Sequence, residues 1–278
     1  MSANDPTQMS ALAQASAAAH PVPDRGHVNN YLEDPELQQL LALYLPAELY
    51  AHLQPYFERM GELAGGAVDD WALQADRNPP TLEMRSRSGK EVQRIVKHPA
   101  YVEMEKIAFQ QFGLAAISHR DDMLGWKGKM PAIVKYALTY LFVQSEFGLC
   151  CPLSMTDSLT RTLRKYGEEK LVAKYLPTLL AMDFDSAVQG SMFMTEQAAG
   201  SDIAGTLTTA YPQEDGSWRL YGEKWFCSNP DAGFGMVLAR VEGGPPGMKG
   251  ISLFLLPRQL DDGSTNHYTI VRLKDKMG

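Results

Sequence analysis

Two short stretches hold the residue types that can do chemistry. The first is Ser191-Met192-Phe193-Met194-Thr195-Glu196-Gln197-Ala198-Ala199-Gly200-Ser201-Asp202. An apolar run enters it from Val188 and stops at Thr195, the pattern of a buried strand reaching a loop. A carboxylate, small residues, a serine and an aspartate follow, with Gly205 close behind. Small side chains let a ligand approach the backbone, and hydroxyls and N–H groups there bind a phosphate or the polar edge of a ring. The second stretch, Gly222-Glu223-Lys224-Trp225-Phe226-Cys227-Ser228-Asn229, is another apolar strand ending in a hydroxyl. On residue types alone, each reads equally well as a polar turn between strands.

The elements that must position these stretches change character at about Asp183. Before it the periodicity is helical. Leu37, Leu40, Leu41, Tyr44 and Leu45 share one face, and Leu49, Leu53, Phe57 and Met60 continue the period after Pro46. Asn78-Pro79-Pro80 is a break, and His98-Pro99 opens a stripe of Tyr101, Met104, Ala108 and Phe112. Residues 125–131 read as a loop. Ile133, Ala137, Tyr140, Leu141 and Phe147 mark a central apolar helix, with two more helices over 154–166 and 168–182. After Asp183, short strands are expected at 188–194, 206–211, 218–221, 236–241, 251–256 and 268–273, separated by turns such as Asp261-Asp262-Gly263-Ser264. The fold class expected is α+β and multidomain: an all-α domain over 29–183, then a small antiparallel β-barrel or sandwich over 184–278. Residues 1–28 are rich in Ala, Ser and Pro and read as a flexible tail. Asn29-Asn30-Tyr31-Leu32 reads as an arm that docks on its own body or on a neighbour.

Composition excludes several classes. With 45% hydrophobic and 21% charged residues, the 278-residue chain is ordinary for a globular protein with an ample core. A net charge of −7 argues against attraction of the whole surface to nucleic acid or anionic membrane. No apolar run reaches the length of a membrane span, and no signal or transit pattern opens the chain. Three cysteines, two adjacent at Cys150 and Cys151, form no disulfide framework, so a reducing cytoplasmic setting is expected. His98 and His119 lack partners at metal-ligand spacing and read as surface or helix-cap residues. No metal site is expected. Asp121-Asp122 reads as a solvated pair, and Cys150-Cys151 as core.

Four segments in order carry a resemblance: Lys174-Tyr175-Leu176-Pro177-Thr178-Leu179-Leu180, the two stretches above, and Gly250-Ile251-Ser252-Leu253-Phe254-Leu255-Leu256-Pro257. Their order and spacing resemble the acyl-CoA dehydrogenase family of flavoproteins. Asn78-Pro79-Pro80-Thr81-Leu82 and Phe147-Gly148-Leu149-Cys150-Cys151-Pro152-Leu153-Ser154-Met155-Thr156 further resemble its AidB-like branch, named for the adaptive-response alkylation protein. The resemblance extends from about Asn29 to the last residue.

The resemblance implies FAD, held by Met192, Phe193, Met194, Thr195, Gly200 and Ser201 from the first stretch and by Phe226, Cys227 and Ser228 from the second. Thr195 would bond the ring edge, and Ser201 would lie towards the pyrophosphate and the thioester substrate. Family members more often carry Trp-Ile-Thr where Phe226, Cys227 and Ser228 stand, and Pro-Gly where Gln197 and Ala198 stand, which puts substrate preference in doubt. The implied reaction is α,β-dehydrogenation of an acyl-CoA thioester, with hydride passing to flavin N5. Most of the family draws its catalytic Glu from a C-terminal helical bundle, expected beyond Gly278 and absent from this chain, so no catalytic residue is named. Glu196 is expected to be structural. An alternative is a flavin-binding DNA-protection protein with little turnover, touching DNA only through the C-terminal region. An acyl-CoA oxidase is disfavoured because Ala199 stands where oxidases usually carry His. A homo-oligomer, dimer or tetramer, is implied, and the electron acceptor is unknown.

Overall fold

The computed structural model describes residues 26–275. Residues 1–25 and 276–278 lie outside the described residues, and with them nearly all of the tail expected over 1–28. The helical half begins where Asp34 caps α1 (Pro35–Tyr44), its carboxylate accepting from Leu37 N at 2.8 Å. Only one side of the expected stripe is covered: Leu41 and Leu45 are buried, whereas Leu40 and Tyr44 face solvent. Helix α2 (Ala47–Leu63) buries Leu49, Leu53, Phe57 and Met60 as their spacing predicts, then runs through a π-turn into α3 (Asp69–Arg77). The arm docks on its own chain. Asn30 N donates to Gly61 O at 3.1 Å, and the buried Tyr31 stacks on Phe57 at 5.6 Å.

The first half is not all-helical. Strands β1 (Thr81–Arg85) and β2 (Glu91–Val96) form an antiparallel hairpin between α3 and α4 (Pro99–Glu105). Its outward positions are charged (Glu83, Arg85, Glu91 and Arg94), so little apolar alternation betrays it. His98 does cap α4, its Nδ1 accepting from Ala100 N at 3.2 Å. Helix α5 (Ala132–Phe142) supplies the buried Leu138, Leu141 and Phe142. It ends before Phe147, which is 77% exposed and so does not extend the buried stripe. Helices α6 (Cys150–Tyr166) and α7 (Glu169–Leu179) complete the half.

The second half is a five-stranded sheet: β3 (Gly190–Phe193), β4 (Thr209–Pro212), β5 (Trp218–Tyr221), β6 (Phe234–Val241) and β7 (Ile251–Pro257). It is mixed rather than antiparallel. Only β4–β5 and β6–β7 are hairpin-like neighbours, while β3 and β4 reach β6 by longer connections and lie parallel to it. Residues 268–273 form no strand. The Ile270 N–H bonds the Gln93 side chain at 2.8 Å instead of a ladder partner. The helical half supports the sheet through α6. Gly190 N donates to Thr156 Oγ1 at 2.8 Å, and a Cβ on Gly190 would stand 3.1 Å from Leu159 Cδ1. Glycine therefore lets β3 start flush against the helix. Leu159 and Leu163 of α6, Leu179 of α7, and Phe234 and Met236 of β6 form one apolar cluster across the junction.

Candidate functional site

The two chemistry-bearing stretches meet. Met192 and Phe193 end β3, and Met194 and Thr195 follow directly. The second stretch is not the strand expected of it: irregular backbone with Phe226 and Asn229 in the left-handed region crosses beside them. Trp225 N donates to Thr195 O at 2.8 Å, and Lys224 Nζ donates to Met194 O at 3.1 Å. Asn229 pins the far end of this strap, its amide donating to Gln189 Oε1 at 2.9 Å. Between the pins, Phe226 (φ 55°) lies in the left-handed region, as Asn229 does (φ 53°). For a bulky aromatic that costs about 1–2 kcal/mol and persists only where the surroundings dictate it. Phe226 is nevertheless 63% exposed, with Lys274 Nζ 4.2 Å above its ring.

Glu196 organises the junction. It is a buried carboxylate, 5% exposed at the side chain, paired at 2.7 Å with Lys224, which is 8% exposed. Its Oε1 also accepts from Thr208 Oγ1 at 2.6 Å and Thr208 N at 3.0 Å, and its Oε2 from Leu207 N at 2.6 Å. Burial pushes its pKa up, but these donors outweigh burial and hold it at about 2. Gly222 matters to the same knot, because a Cβ there would lie 2.4 Å from the Thr208 hydroxyl. Glu196 thus fixes the loop after β3 to the strap, which is the structural role expected of it. Lys224 and Thr208 were not legible as its partners, although Lys224 lies inside the second motif.

A cleft of about 3660 Å³ opens between the helical half and the sheet. Phe193, Phe226, Cys227 and Ser228 line it, whereas Met192, Met194, Thr195, Gly200 and Ser201 do not. The Met192 side chain packs on the cluster shared with α6, the opposite face of β3 from Phe193. Gly200 and Ser201 are exposed on the loop. Among the described residues, the hydroxyls of Thr195, Ser201 and Ser228 have no hydrogen-bond partner. Burial raises the Cys227 thiol to about 11 despite the nearby Lys224, so it is protonated at neutral pH.

Two expectations outside the site need correction. Cys150 and Cys151 line the cleft rather than the core, and Cys151 is exposed. His119 is not at the surface: its buried ring donates from Nε2 to Asp157 Oδ1 at 2.6 Å, and Lys135 Nζ donates to Asp157 Oδ2 at 2.8 Å. Burial raises the Asp157 pKa, yet these two donors bring it below the ordinary range. The group ties α5, α6 and the loop before them together, away from the cleft. Among the described residues no three His, Cys, Asp or Glu side chains stand together as metal ligands, and no helix is long and apolar enough to cross a membrane.

Residues 21–186 match the adaptive response protein AidB N-terminal domain, and residues 191–278 match the acyl-CoA dehydrogenase middle domain. Acyl-CoA dehydrogenase family member 11 of Caenorhabditis elegans is 31% identical over 258 residues, covering 90% of this chain and 41% of that protein. AidB of Escherichia coli (strain K12) is 33% identical over 215 residues, 73% of this chain and 37% of that protein. The structure of Caenorhabditis elegans ACDH-11 in complex with C11-CoA superposes with a TM-score of 0.81 at 29% identity, covering 100% of this chain and 47% of that one. The chain therefore spans 41% and 37% of the length of these two curated relatives. With a helical half matching one domain of this lineage and a β half matching the next, the chain belongs to the acyl-CoA dehydrogenase family, in its AidB-like branch.

Proposed function

We propose that this chain supplies the flavin-ring side of an FAD-dependent acyl-CoA dehydrogenase. Its helical domain would span 29–183 and its β domain would begin at 184. One observation supports this most: the chain leaving β3 and the irregular strap, joined by the Trp225–Thr195 backbone bond, carry hydroxyls that the described residues leave unpaired. A flavin needs an apolar slot with a few donors at its polar edge, and these residues fit that demand. The Thr195 and Ser228 hydroxyls would hold the ring edge, and the exposed Phe226 ring would offer an apolar face. Phe193 would face the ring from the cleft side of β3, with Met192 anchoring the opposite face of the strand and Met194 leading out of it. The loop at Gly200 and Ser201 allows close backbone approach to a phosphate, and Ser201 would also face a thioester ligand. Cys227 stays a protonated thiol and adds no competing nucleophile.

FAD, when bound, would supply the hydride acceptor for α,β-dehydrogenation of an acyl thioester. The acyl-CoA substrate class is favoured by the C11-CoA complex of the similar structure. A homo-oligomer in the cytoplasm is part of the same proposal. Glu196 would not abstract the α-proton: a carboxylate with a pKa of about 2, bonded to four donors, is a weak and sequestered base.

The test is Thr195→Val combined with Ser228→Val, followed by FAD titration. Each lost bond is worth about 1 kcal/mol, so the dissociation constant should rise roughly 30-fold. Unchanged affinity would remove these two hydroxyls from the site.

A further inference from the structure

The β1–β2 hairpin contains a strained residue that a simple hairpin does not need. Its register shifts between the Glu83↔Arg94 and Arg85↔Glu91 pairs, leaving a bulge that contains Gln93. Gln93 lies in the left-handed region at φ 45° and is only 7% exposed. A bulge residue in that conformation is ordinarily glycine, so a side chain is kept there at a cost in stability. Strain of this kind points to a role for whatever the side chain and its carbonyl hold.

Both hold the β domain. Gln93 Oε1 accepts from Ile270 N at 2.8 Å, and Gln93 O accepts from Arg258 Nη2 at 3.1 Å. The Arg258 guanidinium lies 4.6 Å over the Tyr268 ring. Tyr268 in turn donates its hydroxyl to Pro230 O at 2.8 Å and meets Phe193 edge-on at 6.1 Å. Two residues along β2, Ile95 N donates to Asp231 Oδ2 at 3.1 Å. Pro230 and Asp231 directly follow Asn229, the pinned end of the strap that carries Phe226, Cys227 and Ser228. Tyr268 therefore links the bulge to both chemistry-bearing stretches, at Phe193 in one and beside Asn229 in the other. Gln93 itself does not line the cleft, so it cannot touch a ligand there.

We infer that Gln93 is a positioning residue for the Phe226–Ser228 strap, its side chain holding Ile270 N and, through that segment, the Tyr268 hydroxyl on Pro230. Its ligand readout rests on the flavin reading above. Its effect on the strap does not. The Gln93 amide also donates to Glu91 within the hairpin; a residue that only closed the hairpin would act through that bond, and loss of the Ile270 bond would have no consequence at the strap.

The experiment compares the full chain with Gln93→Gly, Tyr268→Phe and the double variant. It measures the denaturant midpoint, hydrogen exchange at the Trp225 amide that bonds Thr195, and FAD affinity by titration. Tyr268→Phe removes one hydroxyl and keeps the ring. It should speed Trp225 exchange and weaken FAD binding by roughly 5- to 10-fold each, the loss of about one hydrogen bond, with little movement of the midpoint. Gln93→Gly should do the same. Glycine keeps the carbonyl that holds Arg258, so Gln93→Gly removes only the side-chain bond to Ile270 N. The double variant should be no worse than the stronger single, because both changes break the one path from Ile270 through Tyr268 to Pro230. Unchanged Trp225 exchange in both singles, or effects that multiply in the double, would overturn the inference. If Gln93→Gly does not fold, Gln93→Asn takes its place, because its shorter side chain cannot reach Ile270 N and asparagine tolerates the left-handed backbone. A wild-type chain without FAD affinity would instead count against the flavin reading, while the exchange measurement would still decide the role of Gln93.

Discussion

Glu196→Gln tests whether the knot under the two stretches is held by charge. In the wild type, Oε1 accepts from Lys224 Nζ, Thr208 Oγ1 and Thr208 N, and Oε2 accepts from Leu207 N. A glutamine can place its carbonyl at only one of these positions. With the carbonyl at Oε1, its amide would face the Leu207 N–H, donor against donor, and Lys224 would be left buried without a counter-charge. Breaking a buried pair in this way typically costs 3–5 kcal/mol. The proton linkage gives an independent figure: a carboxyl brought from 4.5 to about 2 corresponds to about 3 kcal/mol at 1.36 kcal/mol per pH unit. Because the folded-state pKa is the lower one, this stability is complete above about pH 4.5. It is lost as the pH falls towards 2. Chemical denaturation of both proteins at pH 7, 5, 4 and 3 is the assay. The variant should be less stable by about 3 kcal/mol at pH 7, and the gap should narrow steadily below pH 4.5. A gap below about 1 kcal/mol at pH 7, or one that stays constant from pH 5 to 3, would refute the argument that the buried charge does the holding.

Three further outcomes follow from the geometry. Gly190→Ala places a methyl 3.1 Å from Thr156 Cα and Leu159 Cδ1 and should cost about 1–3 kcal/mol in a denaturant titration, with β3 lifted from α6. Asp157→Asn leaves the buried His119 and Lys135 facing a neutral amide. It should lower stability by about 3 kcal/mol at pH 7, and the loss should shrink as acid protonates the wild-type carboxyl, whose pKa is already below the ordinary range. Cys227, with a thiol near 11, should alkylate at pH 8 far more slowly than the exposed Cys151, as peptide mapping after brief iodoacetamide treatment would show.

What the sequence made legible was local. The strand β3, which stops two residues before Thr195, announces itself because an apolar run that stops at a hydroxyl is a one-dimensional signal; the same signal at Phe226–Ser228 marks the right place but not a strand. The stripe of α2 is legible through its helical period, and that of α5 only in part, since Tyr140 and Phe147 of the expected stripe are exposed. The partners that hold the site are not. Glu196 is separated along the chain from Thr208 and Lys224, and Gln93 is far from Arg258 and Tyr268. Nothing in local pattern says which buried acceptor will meet which donor once β3 and β4 run parallel to β6. The hairpin at Thr81–Val96 fails for a related reason. Its outward face is charged, and its inward face is read by the β domain rather than by the helices beside it, so neither period shows. An antiparallel reading joins each strand to the next, so the mixed sheet does not show in local pattern. Here β3 passes over β4 and β5 to pair with β6, which leaves the loop after β3 free to fold back under the strap and be tied there by Glu196. An antiparallel β3–β4 hairpin would have used that loop as a tight turn. The parallel connection is what gives the carboxylate room to reach Thr208 and Lys224, so the topology missing from the local pattern is also what builds the site.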